Sequence, residues 1–249
     1  MIKYKEVDRT GIIVLNRPEK RNALNPEMVS AISGKLIELK KNENIKALII
    51  TGEGKSFCAG ADLEYLNRLR NYSSNENELD SERLADMFIQ IYNFPKPTIA
   101  AVNGAAIAGG CGLATVCDFI VAHNSNSKFG YTEIKIGFIP AIVSVFLIKK
   151  IGEGGAKKLL LTGEIVDGNE AFKIGLADYL SGDPLNKALE LTESLAQNSE
   201  YSFKLTKQLI HSVSNMNVND AVDYCIRLNT ISRSSEDFKN GINKFLNKK

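Results

Sequence analysis

Residues 97–112, PTIAAVNGAAIAGGCG, decide the fold class of this chain. The apolar run from Pro97 to Val102 is typical of a strand that is buried on both faces. It leads through Asn103 and Gly104 into a turn of small residues, and the residues after this turn continue as a helix. Strands that alternate with helices in this way predict an α/β fold.

A second strand with the same pattern lies upstream. Residues 47–51 are apolar apart from Thr51, and the run breaks at Gly52. The loop that follows leads to residues 57–63, FCAGADL, which again combine small residues with the start of a helix. Two turns rich in Gly and Ala therefore each follow a buried strand and each lead into a helix.

The N-terminal part of the chain adds a hairpin and a helix. Residues 2–7 and 12–15 predict two antiparallel strands. Asn25 is a predicted N-cap, since a proline occupies the next position and apolar residues then recur at helical spacing to about Lys41. Residues 67–83 are rich in Asn, Glu and Ser, and predict a mobile surface segment ahead of the next helix.

The C-terminal part is predicted to be helical. Asp167 and Glu170 have the spacing of a capping box, and after them the sequence is mostly of helical type. No strand candidate occurs in the last fifty or so residues. We therefore predict a core over residues 1–196 and a helical C-terminal region over residues 197–249.

Composition excludes several classes of function. The 249 residues are 44% apolar, enough for a full core, and 31 basic residues nearly balance 29 acidic ones. A net charge of +2 provides no long-range field for nucleic acid or an anionic membrane. The most apolar stretch, residues 136–151, is too short and too interrupted to span a membrane. No export signal is visible, so we expect a cytoplasmic protein.

The sequence contains few residues that could bind a metal or act as a catalytic histidine. The four cysteines show neither a CxxC pair nor zinc spacing, and the chain has only His123 and His211. A histidine-based metal site or a Ser-His-Asp triad is therefore not expected.

The two small-residue turns are open to two interpretations. Gly and Ala allow a ligand to approach the backbone, and a helix start leaves N–H groups unpaired, so two facing turns would form an oxyanion hole. The same residues would also allow tight packing of a helix on a strand. Composition alone does not separate these interpretations.

A family resemblance separates them. Residues 15–24 (LNRPEKRNAL), 57–63 (FCAGADL) and 97–104 (PTIAAVNG) resemble successive signatures of the crotonase (enoyl-CoA hydratase/isomerase) superfamily. The similarity covers about residues 12–182 in the right order. It implies a spiral of ββα repeats and a helical C-terminal region for oligomerisation, with assembly as a trimer or a dimer of trimers.

The resemblance also implies the site. It assigns the oxyanion-hole N–H groups to Ala61 and Gly109 and a catalytic carboxylate to Glu133, and its substrates are acyl-coenzyme A thioesters without a further cofactor. The residues that it assigns to coenzyme A are Lys20, Arg21, Ala23, Ala59, Ala61, Asp62, Leu63, Gly110 and Lys248. A solvated surface charge remains the alternative role for each lysine, and a helix-start cap remains the alternative for Glu133.

One position departs from the family pattern. The resemblance implies that hydratases of this family use two glutamates. In this chain, Gly112 occupies the position of the first glutamate. We therefore expect a gap on that side of the pocket. The apolar residues 138–145 also replace a glycine-rich turn, which implies an acyl pocket of unusual shape.

A single glutamate is compatible with several reactions. We predict an enoyl-CoA hydratase-type lyase in which Glu133 is the general acid and base. The alternatives are a Δ3,Δ2-enoyl-CoA isomerase, in which one carboxylate moves a proton from C2 to C4, an acyl-CoA decarboxylase, and an inactive homologue that binds coenzyme A.

Overall fold

The structure, a computed structural model, describes residues 1–247. Contacts within the chain divide it into two compact units, Met1–Glu193 and a second unit that begins at Ser194. The first unit holds all the strands found in the described part of the chain, and the second is helical.

The strands are, in chain order, β1 (Ile2–Val7), β2 (Thr10–Leu15), β3 (Ala47–Gly52), β4 (Ser56–Cys58), β5 (Thr98–Val102), β6 (Ala105–Ile107), β7 (Phe119–His123), β8 (Lys128–Gly130), β9 (Ile165–Asp167) and β10 (Tyr179–Ser181). They form a six-stranded sheet in the order β1-β2-β3-β5-β7-β10 and a four-stranded sheet in the order β4-β6-β8-β9. The expected hairpin is confirmed, since β1 pairs with β2 antiparallel, and β2, β3, β5, β7 and β10 run parallel.

The helices are α1 (Pro26–Lys41), α2 (Leu63–Leu69), α3 (Ser74–Tyr92), α4 (Gly109–Thr115), α5 (Ala141–Thr162), α6 (Gly168–Lys173), α7 (Pro184–Leu195), α8 (Glu200–Val213), α9 (Val218–Arg233) and α10 (Glu236–Leu246). This arrangement of parallel strands and helices confirms the predicted α/β class. The start of α1 is also confirmed, because the Asn25 side chain accepts a hydrogen bond from the Met28 amide. The assignment of residues 197–249 to oligomerisation stays a prediction.

The prediction for residues 67–83 was wrong. The structure ends α2 at Leu69 and begins α3 at Ser74, with a capping box between Ser73 and Glu76. Each of these two side chains bonds the backbone N–H of the other, which satisfies donors that a helix start leaves unpaired. The polar composition reflects the solvent face of an amphipathic helix, whose buried face includes Met87 and Phe88.

The core lies between the large sheet and the helices that cover it. The central strands β3 and β5 are buried along nearly their whole length, and α1 places Met28, Ile32 and Leu36 in the same cluster. A strand that is buried on both faces needs apolar side chains at every position, which explains the continuous apolar runs in the sequence.

Candidate active site

The two small-residue turns lie side by side. Strands β4 and β6 are parallel neighbours in the smaller sheet, with Cys58 paired to Ala106. The residues after each strand therefore emerge at the same edge. A Cβ added to Gly60 would lie 2.9 Å from the Ile107 carbonyl oxygen and 3.6 Å from the Gly109 nitrogen. Only a glycine allows these two turns to approach so closely.

The N–H groups of Ala61 and Gly109 are free to bind a ligand. Leu24 pairs with the Ala61 turn by donating to Gly60 (2.6 Å) and accepting from Asp62 (2.8 Å), so the Ala61 N–H takes no part in this bridge. Gly109 is the first residue of α4, where no intrahelical acceptor exists. No hydrogen bond within residues 1–247 uses either N–H. Both residues line one cleft.

Ala108, next to Gly109, has a strained backbone. Its φ of 51° and ψ of −125° are unusual for a residue with a Cβ. Such a conformation costs on the order of 1–3 kcal/mol and is common at ligand-binding turns. Hydrogen bonds from the Ala108 amide to Gly130 (2.7 Å) and from Gly112 to the Ala108 carbonyl (3.0 Å) hold it in place.

Glu133 is a buried carboxyl group. It begins a short 3-10 helix, Glu133–Ile136, and is 8% exposed. Its Oε2 has no hydrogen-bond partner among the described residues. Burial raises the pKa of Glu133, because desolvation disfavours the charged form. A carboxyl group with a raised pKa is suited to exchange protons near neutral pH.

The gap that we expected beside Gly112 is not present. A Cβ at Gly112 would lie 2.1 Å from Val143 Cγ1 and 2.8 Å from Val143 Cβ. Val143, in the first turns of α5, is itself buried and fills the place of a larger side chain. The side of the pocket near Gly112 is therefore apolar.

The cleft that contains the two N–H groups also has a polar wall that the sequence prediction missed. It is formed by Tyr65 of α2 and by Asp80 and Arg83 of α3. The Tyr65 hydroxyl donates a hydrogen bond to Asp80 Oδ1. The start of α1 also lines this cleft, with Pro26, Val29 and Ser30.

A buried ion pair holds the Ala61 turn in position. Arg17 Nη2 lies 2.7 Å from Asp62 Oδ2, and both side chains are almost fully buried. Asp62 Oδ1 also caps α2 by accepting from the Glu64 and Tyr65 amides. The hydrogen bond from Arg17 is the main cause of the lowered pKa of Asp62. The Asn22 amide group adds bonds to the Glu53 and Ser56 carbonyls.

Comparison with known proteins supplies the family. Residues 8–249 match the family model described as enoyl-CoA hydratase/isomerase. The chain belongs to the enoyl-CoA hydratase/isomerase family. It is thus an enzyme of the crotonase superfamily, as the sequence motifs predicted.

Individual members of the enoyl-CoA hydratase/isomerase family are similar over almost the whole chain. A Thermus thermophilus protein, which its name assigns provisionally to the enoyl-CoA hydratases, is 41% identical and covers 98% of this chain and 97% of its own. The 2,3-dehydroadipyl-CoA hydratase of Escherichia coli is 32% identical, over 97% of this chain and 93% of its own. A crystal structure of an enoyl-CoA hydratase from Shewanella pealeana superposes with a TM-score of 0.95 at 28% identity, over all of this chain and 94% of the other. These likenesses confirm the predicted crotonase-like fold.

The residues that the family resemblance assigns to coenzyme A have varied surroundings. Lys20 forms an ion pair of 2.5 Å with Glu64, which raises the pKa of Lys20. Arg21 is exposed and has a φ of 51°. Leu63 is 79% exposed, an unusual position for an apolar side chain. Lys248 lies outside the described residues.

The remaining members of this set lie in the two turns or pack next to them. Ala23 and Gly110 are buried, and a Cβ at Gly110 would lie 2.1 Å from the Cys58 carbonyl oxygen. The Ala59 amide donates to the Arg21 carbonyl (3.0 Å). Across residues 1–247, no helix is long and apolar enough to cross a bilayer, and no group of three His, Cys, Asp or Glu side chains could hold a metal ion.

Proposed function

We propose that this chain hydrates a 2-enoyl-CoA thioester, with the thioester oxygen held by the N–H groups of Ala61 and Gly109. The observation that carries the proposal is that both N–H groups lack an internal acceptor and line the same cleft. The name of the Escherichia coli relative, 2,3-dehydroadipyl-CoA hydratase, supports the choice of hydration.

The two N–H groups would stabilise the charge that forms on the thioester oxygen. When water adds to C3, the electron pair of the double bond moves toward this oxygen and gives an enolate. Donors that are already in position need no reorganisation, and the loss of one such donor costs about 10²–10³ in rate. Because both donors belong to the backbone, side-chain changes at Ala61 would act by steric displacement.

Glu133 is the proposed general acid and base. Its buried carboxyl group has an oxygen without a partner within residues 1–247, so it is available to a substrate or a water molecule. Burial raises its pKa toward the range in which a carboxyl group both takes and returns a proton at neutral pH.

Substitution of Glu133 tests this assignment. In Glu133→Gln we expect kcat for crotonyl-CoA hydration to fall by about 10²–10⁴, because general acid–base groups contribute that much. The reaction is followed by the loss of the conjugated thioester absorbance. Glu43→Gln, at an exposed loop position, is the matched control and should retain wild-type kcat. Wild-type activity in Glu133→Gln would contradict the assignment.

The filled space at Gly112 favours isomerisation as the second candidate. A Δ3,Δ2-enoyl-CoA isomerase needs one carboxylate and no water, and Val143 makes that side of the pocket apolar. A 3-enoyl-CoA substrate in deuterated water separates the reactions. An isomerase would give the conjugated thioester without 3-hydroxyacyl product, whereas a hydratase would give no conversion of this substrate.

The proposed reaction involves coenzyme A binding and an oligomeric enzyme. Coenzyme A enters as part of the substrate, next to Ala59, Asp62 and Leu63, and no separate cofactor takes part. The enzyme is expected in the cytoplasm as a trimer or a dimer of trimers.

A further inference from the structure

Asp80 places a carboxylate in the cleft of the two N–H groups. Among the described residues that line this cleft, it is the one carboxylate, and Arg83 is the one other charged group. Asp80 is half-buried on α3, and its Oδ1 accepts the hydrogen bond from Tyr65. No hydrogen bond within the described chain uses Oδ2, which leaves this oxygen available to a ligand.

Glu133, the carboxyl group that the proposed function uses, is not among the described residues that line this cleft. Val143 fills the space beside Gly112, so the polar wall of the cleft comes from α2 and α3 instead. Hydration needs one group to take a proton from water and one to give a proton to C2. Burial raises the pKa of Glu133, which suits it to the second task.

We propose that Asp80 is the second acid–base group of this enzyme and activates the water that adds to the enoyl double bond. This inference rests on the proposed hydration, and it assigns the base step to Asp80 and leaves Glu133 the acid step alone. Asp80 accepts a proton from water as the new O–C3 bond forms, and the electron pair of the double bond moves to the thioester oxygen. The protonated Glu133 then gives its proton to C2 and the carbonyl re-forms. Proton exchange with solvent returns both groups to their starting states.

Tyr65 is a positioning residue for Asp80. It is 7% exposed, and its hydroxyl group fixes one oxygen of the carboxylate. The Tyr65 backbone is held at the start of α2, where Asp62 Oδ1 accepts a hydrogen bond from the Tyr65 amide. The same ion-paired Asp62 therefore supports both the Ala61 turn and the Tyr65–Asp80 pair.

The test measures kcat and KM for crotonyl-CoA in four variants. In Asp80→Asn we expect kcat to fall by about 10²–10⁴, with KM close to the wild-type value. Asp86→Asn, an exposed carboxylate on the same helix, is the matched control and should be unchanged. Tyr65→Phe should lower kcat by a smaller factor at unchanged KM. Tyr65→Phe combined with Asp80→Asn should be no slower than Asp80→Asn alone, since Tyr65 acts through Asp80.

Each outcome decides the inference. Wild-type kcat in Asp80→Asn, or additive losses in the double variant, would overturn it. If Asp80→Asn fails to fold, Tyr65→Phe decides: a lower kcat supports the inference and an unchanged kcat overturns it. A wild-type enzyme that hydrates no enoyl-CoA would instead show that the proposed function is wrong, whatever the variants do.

Discussion

Glu133, the proposed general acid and base, illustrates at the scale of a single residue how a buried carboxyl group can weaken the fold. Its carboxyl group is buried, and Oε2 finds no partner within residues 1–247. Placing a charged carboxylate there is unfavourable, and the protein responds by favouring the neutral form. The property that suits Glu133 to proton transfer therefore also makes the stability of the protein depend on pH.

Glu133→Gln should stabilise the protein at neutral pH. Burial raises the pKa of Glu133 above its ordinary value of 4.5. Below that value the group is protonated in both the folded and unfolded states, so the variant and the wild type should have similar free energies of unfolding. As the pH rises through the raised pKa, the wild type loses stability and the variant does not.

Urea unfolding at several pH values measures this difference. The gap between Glu133→Gln and the wild type should grow from acid to neutral pH. A constant gap, or one that shrinks as the pH rises, would contradict the effect of burial on this group.

At this scale, sequence reasoning assigned some candidate site residues and missed others. Ala61, Gly109 and Glu133 could be assigned because each lies in a short motif that resembles a family signature, and these assignments stay predictions. Asp80 and Tyr65 lie 15 positions apart in a polar stretch, and only the packing of α3 against the cleft brings them together. The signal that could have found them is the Ser73–Glu76 capping box, which predicts a helix start in that stretch.

At the scale of elements, α2 depends on the residue that caps it. Asp62 is the N-cap of α2, and it also pairs with Arg17 from the loop after β2. The side chains of Arg17 and Asp62 are 12% and 6% exposed, so neither charge is well hydrated. A buried charge that loses its partner is costly, which makes this pair important for the position of the Ala61 turn.

Asp62→Asn should destabilise the first unit by about 3–5 kcal/mol, because it leaves Arg17 buried without a counter-charge. Asparagine is as good an N-cap as aspartate, so the variant removes the charge and keeps the cap. Urea unfolding provides the measurement.

The control for Asp62→Asn is an exposed pair. Glu38→Gln breaks the Lys35–Glu38 contact on α1, whose glutamate side chain is 60% exposed, and should cost less than about 1 kcal/mol. Equal costs in the two variants would show that the Arg17–Asp62 pair does not behave as a buried one.

At the scale of the whole molecule, the second unit exposes many apolar side chains. In α9 alone Val218, Val222, Ile226 and Ile231 are each more than half exposed. Exposed apolar patches of this kind mark interaction surfaces. This observation supports the prediction that residues 197–249 serve in oligomerisation.

Light scattering with size exclusion tests this prediction. We expect a mass three or six times the 27.4 kDa of the chain. Ile226→Asp, at a side chain that is 58% exposed, should lower the mass, because a charge is costly in an apolar interface. Asn219→Asp, an exposed polar position on the same helix, is the control. A wild-type mass equal to one chain would contradict the prediction.

The sequence by itself determined the α/β class and the family, and it assigned the two backbone donors only through the family resemblance. The class follows from local patterns, since continuous apolar runs predict buried strands, and the family follows from an ordered set of short motifs. Tertiary structure alone decided that Val143 fills the space at Gly112 and that Asp80 faces the cleft. Both depend on contacts between segments that are distant in sequence, and no local propensity or spacing specifies which side chain fills a given volume.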